Sequence, residues 1–429
     1  MSKQYLLREF YALCPDGICS DLLTEQEKKL VRDSGVMFLT GVMQRADAEN
    51  GNGRVYPKKT LEREMERYEQ LIRENRAVGE CVDEETKILT KDGWKFIKDI
   101  SNDEEVFILD QNTDEIRVEK ILEKVVKPHS GVMLHFTNNA GTLDMNLTPN
   151  HKVIINDRNN KYSEIFAEEL AQKTFESDSK ISHSSIRKIG GKWNGSDLHE
   201  IEFSNKKYKM KDFAAFMGIF LSEGYVGKDK IQITQKKEKN VGLIRQMLES
   251  GNFSFSEYER KDGTIDFVLF DKEMIAFLKP LGKSFQKYIP EELKNLKSEY
   301  LEEMLKWMLI GDGRNRNRRI KTDEKEAVLR RELYTTSEKL ANDVSEIFFK
   351  INSGATIQTR IQKDRMIEGR EIKAINSRKL FIVSEYSAKT ISLDSRFLNV
   401  QKIPFNGTVY CVKTSTGNWL MQRNGHPMW

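Results

Sequence analysis

The sequence contains few cysteines, few prolines and no long apolar run. Its four cysteines in 429 residues are too few for a disulfide framework. Cys14 and Cys19 could pair, but we expect two isolated thiols in a reducing compartment. The absence of about 18 consecutive apolar residues argues against a membrane-spanning helix, and no membrane partner is expected. The first residues also lack the basic and then apolar order of a secretory signal. A net charge of +4 by itself favours no partner.

The chain is long enough to bury more than one core, and its sequence pattern changes twice. Residues 1–80 contain one strand-like apolar run (36–43) and one helical pattern (58–80), which are too little to close a core. Short β-type runs follow from Cys81 to about residue 185 and return in the last 30 residues. Between them, helical patterns alternate with strands. The sequence therefore predicts a multidomain α+β protein, in which a mixed α/β segment interrupts an all-β unit.

The middle segment contains an internal repeat. Residues 216–224 align with residues 305–313, and each copy is an apolar helix that ends in a small residue, an acid and glycine. The acids are Glu223 and Asp312, which are 89 residues apart. Each copy continues into a strand and a helix, with residues 231–235 aligned to residues 333–337. This spacing allows one α/β half-domain for each copy.

Three short blocks flank the repeat and resemble the sequence blocks of inteins. The first block is residues 81–94, in which a cysteine precedes a short hairpin pattern. The second is residues 148–151, with sequence Thr-Pro-Asn-His, and the third combines residues 409–412 with residues 423–425. The resemblance implies a horseshoe-like, all-β Hint splicing domain in two pieces, residues 81–190 and residues 386–429.

In inteins the thiol of the first residue attacks the preceding carbonyl carbon, and the resemblance gives this role to Cys81. A thiol suits the step because it is nucleophilic and can leave again. His151 would supply a proton as the nitrogen of the Glu80–Cys81 peptide departs, for which an ordinary pKa of about 6.5 is suitable. Thr148 would hydrogen-bond around this peptide. Cys411 would assist the step or serve only as a core thiol, and no cofactor is expected for splicing.

The C-terminal residues differ from the end of a complete intein. Inteins end in Asn followed by Cys, Ser or Thr, whereas this sequence ends at Trp429 and its Asn424 precedes Gly425, as in an inner turn. We expect this chain to form the thioester and to cleave before Cys81 without ligating the flanks. Ligation would need a missing C-terminal segment and host-protein flanks in cis.

The repeat resembles the LAGLIDADG homing endonucleases, and we assign residues 191–385 to such a domain. The resemblance implies a pseudo-twofold αββαββα fold in which two apolar helices meet and their terminal acids hold a divalent metal. Glu223 and Asp312 match those positions, and their hard carboxylate oxygens suit Mg²⁺. Lys287 matches a block in which the family carries a basic residue near the active site.

The same resemblance implies a double-stranded DNA target. Residues 314–331 contain eight basic residues and three acidic ones, a composition that favours nucleic acid only slightly when taken alone. In the family, sheets from both halves lie in the major groove and contact phosphates and base edges. The expected DNA-binding residues follow the second acid directly and are Arg314, Arg316, Arg318 and Arg319.

Residues 1–80 resemble the N-terminal part of tailed-phage prohead core proteases, which have a herpesvirus-protease-like fold. Residues 50–57 (Asn-Gly-Asn-Gly-Arg-Val-Tyr-Pro) and residues 77–80 carry this likeness. The resemblance implies that the host protein is a serine-type capsid maturation protease of a bacteriophage. It also implies a location in the cytoplasm of the infected bacterium and entry of the host protein into the prohead.

Three other functions are compatible with parts of the sequence. A capsid maturation protease would need a serine nucleophile downstream of the residues present here. A DNA-binding protein without catalysis would not need Glu223 and Asp312 to approach each other. A Hedgehog-like autoprocessing domain would end in cleavage rather than in ligation.

Overall fold

A computed structural model describes most of the chain after residue 79. The described residues are 80–156, 162–175, 185–187, 189–317, 329–361, 364–367, 370–372, 374, 377–386, 389–392 and 398–429, with positions 47, 55, 57–60, 62, 63 and 65 before them. The chain divides into two units, residues 1–78 and residues 79–429. The strand predicted at residues 36–43 and most of the helix predicted at residues 58–80 lie outside the described residues, as does the predicted fold of the host segment.

The first part of the second unit is built from short strands joined by turns. Its strands are β1 (Lys87–Thr90), β2 (Gly93–Phe96), β3 (Glu105–Asp110), β4 (Glu115–Lys120), β5 (Glu123–Asn138), β6 (Asp144–Leu147), β7 (Lys152–Asn156), β8 (Tyr162–Phe166), β9 (Ser185–Arg187) and β10 (Lys192–Trp193). Helix α1 (Ala167–Phe175) follows β8.

Residues 200–386, which we call the insert, alternate helices with strand pairs. Its strands are β11 (Glu200–Phe203), β12 (Lys206–Lys209), β13 (Gly224–Val226), β14 (Ile231–Gln235), β15 (Ser256–Glu259), β16 (Ile265–Leu269), β17 (Gly313–Asn317), β18 (Leu329–Thr335), β19 (Gly354–Arg360), β20 (Arg365–Ile367), β21 (Arg370–Ile372) and β22 (Leu380–Tyr386). Its helices are α2 (Met210–Glu223), α3 (Glu238–Ser250), α4 (Lys272–Leu278), α5 (Glu291–Lys294), α6 (Ser298–Asp312) and α7 (Glu338–Lys350).

The chain returns to β structure after the insert and completes the sheets begun before it. The last strands are β23 (Thr390–Ser392), β24 (Leu398–Lys413), β25 (Met421–Arg423) and β26 (His426–Met428). The largest sheet has the order β10-β4-β3-β1-β25-β26, with β2 paired to β1. A second sheet has the order β23-β9-β7-β8, and a third has the order β24-β5-β6. Residues 80–193 and 389–429 therefore form one β part.

The core of the β part is shared by its two sequence-distant pieces. Ile88 and Phe136 from before the insert pack in the same buried cluster as Met421 and Met428 from after it. Burial of one such side chain contributes about 1.5–3 kcal/mol. Antiparallel pairing of β24 with β5 extends from Leu398 to Lys413 and joins the same pieces again. Neither piece can therefore bury its apolar face alone.

The insert contains two similar halves. The first half has the order α2, β13, β14, α3, β15, β16 and α4, and its sheet order is β13-β14-β16-β15. The second half has α6, β17, β18, α7, β19 and β22, with the sheet order β17-β18-β22-β19. Helices α2 and α6 pack together, and their buried residues form the centre of the insert's core.

The mixed α+β class predicted from the sequence is confirmed. The endonuclease domain was predicted to extend over residues 191–385, and the elements of the structure differ from these limits at both ends. Strand β10 still belongs to the large sheet of the β part, and β22 ends at Tyr386. Gly190 and Gly191, both with positive φ, form the bend before β10. Strand β10 has only two residues, which is too short to give a sequence pattern. None of the helices that the structure describes is long and apolar enough to cross a membrane.

Candidate functional site

Cys81 begins the β part and is held between two other segments of it. The backbone nitrogen of Val82 donates to the oxygen of Tyr410 (2.8 Å), and the nitrogen of Tyr410 donates to the oxygen of Val82 (2.9 Å). On the other side, the nitrogen of Thr148 donates to the oxygen of Cys81 (3.0 Å). The Cys81 side chain is fully buried and packs with Val409. Residues from both sides of the insert therefore fix this peptide.

The hydroxyl of Thr148 contacts both backbone polar groups of Cys81. Its Oγ1 accepts a hydrogen bond from the Cys81 nitrogen (3.1 Å) and donates to the Cys81 oxygen (3.2 Å). Strand β6 ends just before Thr148, and the turn that follows contains Pro149, whose ring restricts φ and favours a turn. The nitrogen of His151 closes this turn by donating to the oxygen of Thr148 (3.0 Å). The turn thus presents both side chains to the Cys81 peptide.

His151 is held in the neutral form. Burial lowers the pKa of His151 to about 4, and a hydrogen bond with the Cys81 backbone opposes this shift only in part. Its Nδ1 is buried and has no hydrogen-bond partner among the described residues. The ordinary pKa of about 6.5 expected from the sequence is therefore wrong, because desolvation disfavours the imidazolium. A neutral imidazole can still accept a proton at one nitrogen and deliver one from the other.

The thiols of Cys81 and Cys411 are both protonated at neutral pH. Burial raises the pKa of Cys81 to about 11, and burial together with the nearby Cys81 raises the pKa of Cys411 well above its usual range. A cavity of about 60 Å³ is lined in part by Glu80, His151 and Cys411. This volume can hold water molecules. Attack by Cys81 therefore requires a neighbouring base that takes the thiol proton.

A second candidate site lies where helices α2 and α6 pack against each other. A Cβ on Gly218 would lie 2.2 Å from the oxygen of Met304 and 2.7 Å from the Cβ of Trp307. A Cβ on Gly311 would lie 2.2 Å from the Oγ of Ser222. One glycine on each helix therefore permits the close approach, and Gly218 makes room for the large Trp307 of the opposite helix.

Glu223 and Asp312 end these two helices and converge at the same end of the pair. A Cβ on Gly311, the neighbour of Asp312, would lie 3.0 Å from the Cγ of Glu223. Burial raises the pKa of Glu223. Burial and then the charge of Glu223 raise the pKa of Asp312 to about 6. Each acid lies at the negative end of a helix dipole, and the two acids also repel each other. A cation between them would relieve both unfavourable interactions.

Lys287 lies near both acids and holds the end of α2. Burial lowers the pKa of Lys287 to about 8, opposed by the charges of Asp312 and Glu223. Its Nζ donates to three backbone oxygens, those of Phe220 (2.7 Å), Leu221 (3.0 Å) and Gly224 (2.8 Å). These bonds use all three donors of the ammonium. Lys287 therefore satisfies the last carbonyls of α2 and offsets the charge of the acids.

Gln235 is a site residue that the sequence reasoning did not single out. It is buried at the end of β14, and its Nε2 donates to Oε1 of Glu223 (3.2 Å). Its own oxygen accepts from the backbone nitrogens of Lys236 and Lys237, both at 3.0 Å. These two bonds fix the amide orientation, so Gln235 positions the Glu223 carboxylate.

The strand register corrects the sequence alignment of the two halves at Gln235. That alignment placed residues 231–235 beside residues 333–337. In the structure, Gly224 faces Ile233 and the equivalent Gly313 faces Leu333, which shifts the alignment by two residues. Thr335, rather than Ser337, is therefore the counterpart of Gln235, and the two halves differ chemically at this position.

Two of the four arginines expected to bind DNA lie on described backbone. Arg314 is exposed on β17, opposite Glu332 of β18. Arg316 is two residues further along the same strand. Arg318 and Arg319 lie outside the described residues. The role of all four in DNA binding stays a prediction.

The acid pair suits a divalent cation with oxygen ligands. Within the part of the chain that the structure describes, no group of three or more His, Cys, Asp or Glu could hold a metal ion. Glu223 and Asp312 supply two carboxylates whose pKa values are raised by burial. Mg²⁺ is commonly held by one or two carboxylates, while water and phosphate oxygens complete its shell. The residues present therefore fit Mg²⁺ shared with a bound phosphate.

No protein-family model matches the chain. The chain is 25% identical over 309 residues to an ATP-dependent Clp protease proteolytic subunit from Chlamydomonas moewusii, an alignment covering 65% of this chain and 28% of that protein. It is 24% identical over 261 residues to the DNA-directed RNA polymerase subunit Rpo1C from Methanocaldococcus jannaschii, covering 55% and 30% respectively. The chain thus spans less than a third of the length of these curated relatives.

Two kinds of solved structure are similar to the chain. The crystal structure of I-DmoI in complex with DNA and Mn matches with 13% identity and a TM-score of 0.27, covering 41% of this chain and 90% of that one. A splice-inactive variant of the AceL NrdHF class 3 split intein matches with 25% identity and a TM-score of 0.19, covering 20% and 55%. Because both TM-scores are low, the function is inferred from this chain's own residues.

Proposed function

We propose that the chain carries a self-splicing intein element that begins at Cys81. The observation that supports this most directly is the pair of hydrogen bonds between the Thr148 hydroxyl and the Cys81 backbone, one accepted from the nitrogen and one donated to the oxygen, beside the buried His151. This hydroxyl holds the nitrogen of the Glu80–Cys81 peptide while the thiol of the same residue lies in the core. Such a fixed geometry is what an intramolecular acyl shift requires.

In the first step, Sγ of Cys81 attacks the carbonyl carbon of Glu80, and the carbon–nitrogen bond of the peptide breaks. The thiol proton is removed as the carbon–sulfur bond forms, and the departing nitrogen gains a proton and becomes the α-amine of Cys81. The net change is one proton moved from sulfur to nitrogen, with a thioester in place of the amide. His151 is suited to carry this proton, since it is neutral and its Nδ1 has no partner among the described residues.

We propose further that the insert is a DNA endonuclease of the LAGLIDADG type. The approach of Glu223 and Asp312 at the ends of α2 and α6 supports cutting rather than binding alone. These two residues would hold Mg²⁺, which, when bound, activates water and stabilises charge on the scissile phosphate. Gln235 and Lys287 position the acids, and Arg314 and Arg316 would contact the DNA backbone.

The residues before Cys81 are proposed to be the start of a host protein, a phage prohead protease. The string at residues 50–57 supports this assignment. Splicing would restore the host chain, and the endonuclease would act on a DNA site that lacks the intein. The host protein would then function in capsid maturation.

The splicing proposal is tested by mass spectrometry of the native chain and of Cys81→Ala after addition of dithiothreitol. We expect the native chain to release residues 1–80, first as a dithiothreitol thioester, because the thiol intercepts the acyl group on sulfur. Cys81→Ala should remain intact, and Cys14→Ala serves as the matched cysteine control and should cleave normally. Thiol-independent cleavage, or an intact native chain, would contradict the proposal.

The endonuclease proposal is tested with a plasmid library that carries random inserts. The native chain with Mg²⁺ should linearise a subset of plasmids, and EDTA should abolish the cut. Glu223→Gln and Asp312→Asn should lose cleavage, whereas Glu299→Gln, which changes an exposed acid at the start of α6, should retain it. Cleavage that survives both site substitutions would place the active site elsewhere.

A further inference from the structure

Glu80, the residue that precedes the reactive cysteine, is itself bound by the β part. The backbone nitrogen of Lys152 donates to the Glu80 carboxylate. The Nζ of the same lysine lies 3.4 Å from Oε1 of Glu80 and 3.2 Å from Oε2 of Glu164. All three side chains also line the cavity that includes His151. One residue thus contributes two donors to a single carboxylate at the reaction site.

The fold explains why Lys152 lies at this position. It follows His151 directly and begins β7, and β8 brings Glu164 to a diagonal position, since Ile154 is the direct partner of Glu164. The turn that places His151 beside the Cys81 peptide therefore also places Lys152 beside Glu80. Binding of the preceding residue and proton transfer depend on the same turn.

The charge of Lys152 favours an acid before Cys81, because it opposes the burial that raises the pKa of Glu80. Lys152 lies between two carboxylates, and the side chains of Glu80, Lys152 and Glu164 are 33%, 32% and 39% exposed, so solvent screens their attraction only in part. A basic residue at position 80 would place two cations beside one carboxylate. Removal of Lys152 would leave the negative charge of Glu80 close to Cys81, where it raises the pKa of the thiol.

We infer that Lys152 is a specificity-determining residue for the splicing element, because its backbone N–H and ammonium together bind the carboxylate of the residue before Cys81. An acidic residue at position 80 is held in register while its carbonyl carbon changes bonds from nitrogen to sulfur. Neutral and basic residues there lose this contact, so the element selects host sites with an acid before the cysteine. This inference rests on the proposed acyl shift at Cys81.

The test is the rate of dithiothreitol-dependent cleavage in charge-reversed variants of the full chain. Glu80→Gln should slow cleavage about fivefold, the upper end for a partly exposed ion pair. Lys152→Glu, which places three acids together, should slow it about tenfold or more. Glu80→Lys should slow cleavage by a similar factor, because it places two cations beside Glu164. The double variant Lys152→Glu with Glu80→Lys restores an ion pair of opposite orientation between positions 80 and 152, and should cleave at least about threefold faster than the product of its two single-variant effects. Lys152→Arg should retain most of the rate.

Lys91→Glu is the matched control, because Lys91 forms a similar ion pair with Glu105 in the same β part, away from Cys81. It should change the rate less than twofold, and circular dichroism should show that every variant is folded. A double variant as slow as the product of its single variants would overturn the inference. If the native chain shows no Cys81-dependent cleavage at all, the proposed splicing function fails instead, so the two failures are distinguishable.

Discussion

Cys81 and Cys411 face each other across an antiparallel strand pair. Their neighbours Val82 and Tyr410 exchange both backbone hydrogen bonds, so the cysteines occupy the next, non-hydrogen-bonded position. Cα atoms at such positions are about 4.5 Å apart, within the range of disulfides. Both side chains pack in the same small cluster with Val409.

We expect a mild oxidant such as diamide to join Cys81 and Cys411 and to block thioester formation, because the nucleophilic sulfur is then bonded. Hydroxylamine, which cleaves thioesters without reducing disulfides, should release residues 1–80 only from the reduced chain. Non-reducing peptide mapping identifies the linked pair. The control variant carries both Cys14→Ser and Cys19→Ser and should form the same disulfide on oxidation. If diamide no longer blocks thioester formation in this variant, the block in the native chain is due to Cys14 and Cys19.

The buried His151 predicts a pH dependence of stability. Its folded pKa of about 4 is below the ordinary value of about 6.5, so the unfolded chain binds a proton between these values and the folded chain does not. Stability from this group is therefore complete above about pH 6.5 and is lost as the pH falls towards 4. The Tm of the native chain should fall more than that of His151→Gln across this range.

The matched control for this histidine is His199→Gln, since the side chain of His199 is 77% exposed. Scanning calorimetry should show the native pH profile in this control. His151→Gln should also slow the dithiothreitol reaction about a hundredfold, as expected for loss of a general acid–base group. Parallel pH profiles for the native chain and His151→Gln would mean that the imidazole is not held neutral.

The acid pair predicts a gain in stability when Asp312 is neutralised. Its pKa is raised to about 6, so its favourable contribution to folding is present below about pH 4 and is lost as the pH rises through 6. Asp312→Asn should therefore have a higher Tm than the native chain at pH 7.5 and no advantage near pH 4. The control Glu299→Gln changes an exposed acid at the start of α6 and should leave the Tm unchanged both at pH 7.5 and near pH 4.

Added Mg²⁺ should reverse the order of the Tm values of the native chain and Asp312→Asn at pH 7.5, because a cation that binds the folded site stabilises the folded protein by mass action. The Tm of the native chain should rise with added Mg²⁺, while that of Asp312→Asn should not. An equal rise in both proteins would show that the ion binds elsewhere.

The helix contact predicts opposite effects for two glycine substitutions. A Cβ on Gly218 would collide with the backbone of α6 at Met304, so Gly218→Ala should lower the free energy of unfolding by about 1–3 kcal/mol. Gly242 lies in α3, where an added Cβ would meet no described atom within 4 Å, and Gly242→Ala should raise it by about 0.5–1 kcal/mol. Urea unfolding measures both. A harmless Gly218→Ala would mean that the helices are not in close contact.

Sequence patterns predicted the main elements but not the long β strands. The short β-type runs predicted before and after the insert include only parts of β5 and β24, each of which is 16 residues long. Much of the paired segment is exposed, and Pro128 and Ser130 interrupt the apolar alternation there. The two strands are held together by backbone hydrogen bonds along their length more than by buried side chains, and a local sequence pattern does not indicate such pairing.

The chemistry of the sites depends on contacts that are distant in sequence. Cys81, His151, Glu223 and Asp312 were selected as candidates by their places in the intein-like blocks and in the internal repeat, and not by residue type alone. The low pKa of His151 and the three carbonyl bonds of Lys287 arise only after residues more than 60 positions apart have packed together. Gln235 was not selected because its role comes from its contact with Glu223, which forms only when β14 pairs with β13 at the end of α2.

The interleaved sheets also have a consequence for synthesis on the ribosome. Cys81 leaves the ribosome long before Tyr410, which is 329 residues further along the chain and hydrogen-bonds to its neighbour Val82. At about 5–20 residues per second, this delay is roughly 15–65 seconds. During this time Cys81 lacks the strand that contains Tyr410, so under the proposed splicing function a nascent chain would not yet cleave before Cys81. If the proposed acyl shift operates, the long insert would therefore delay cleavage until nearly the whole element has been translated.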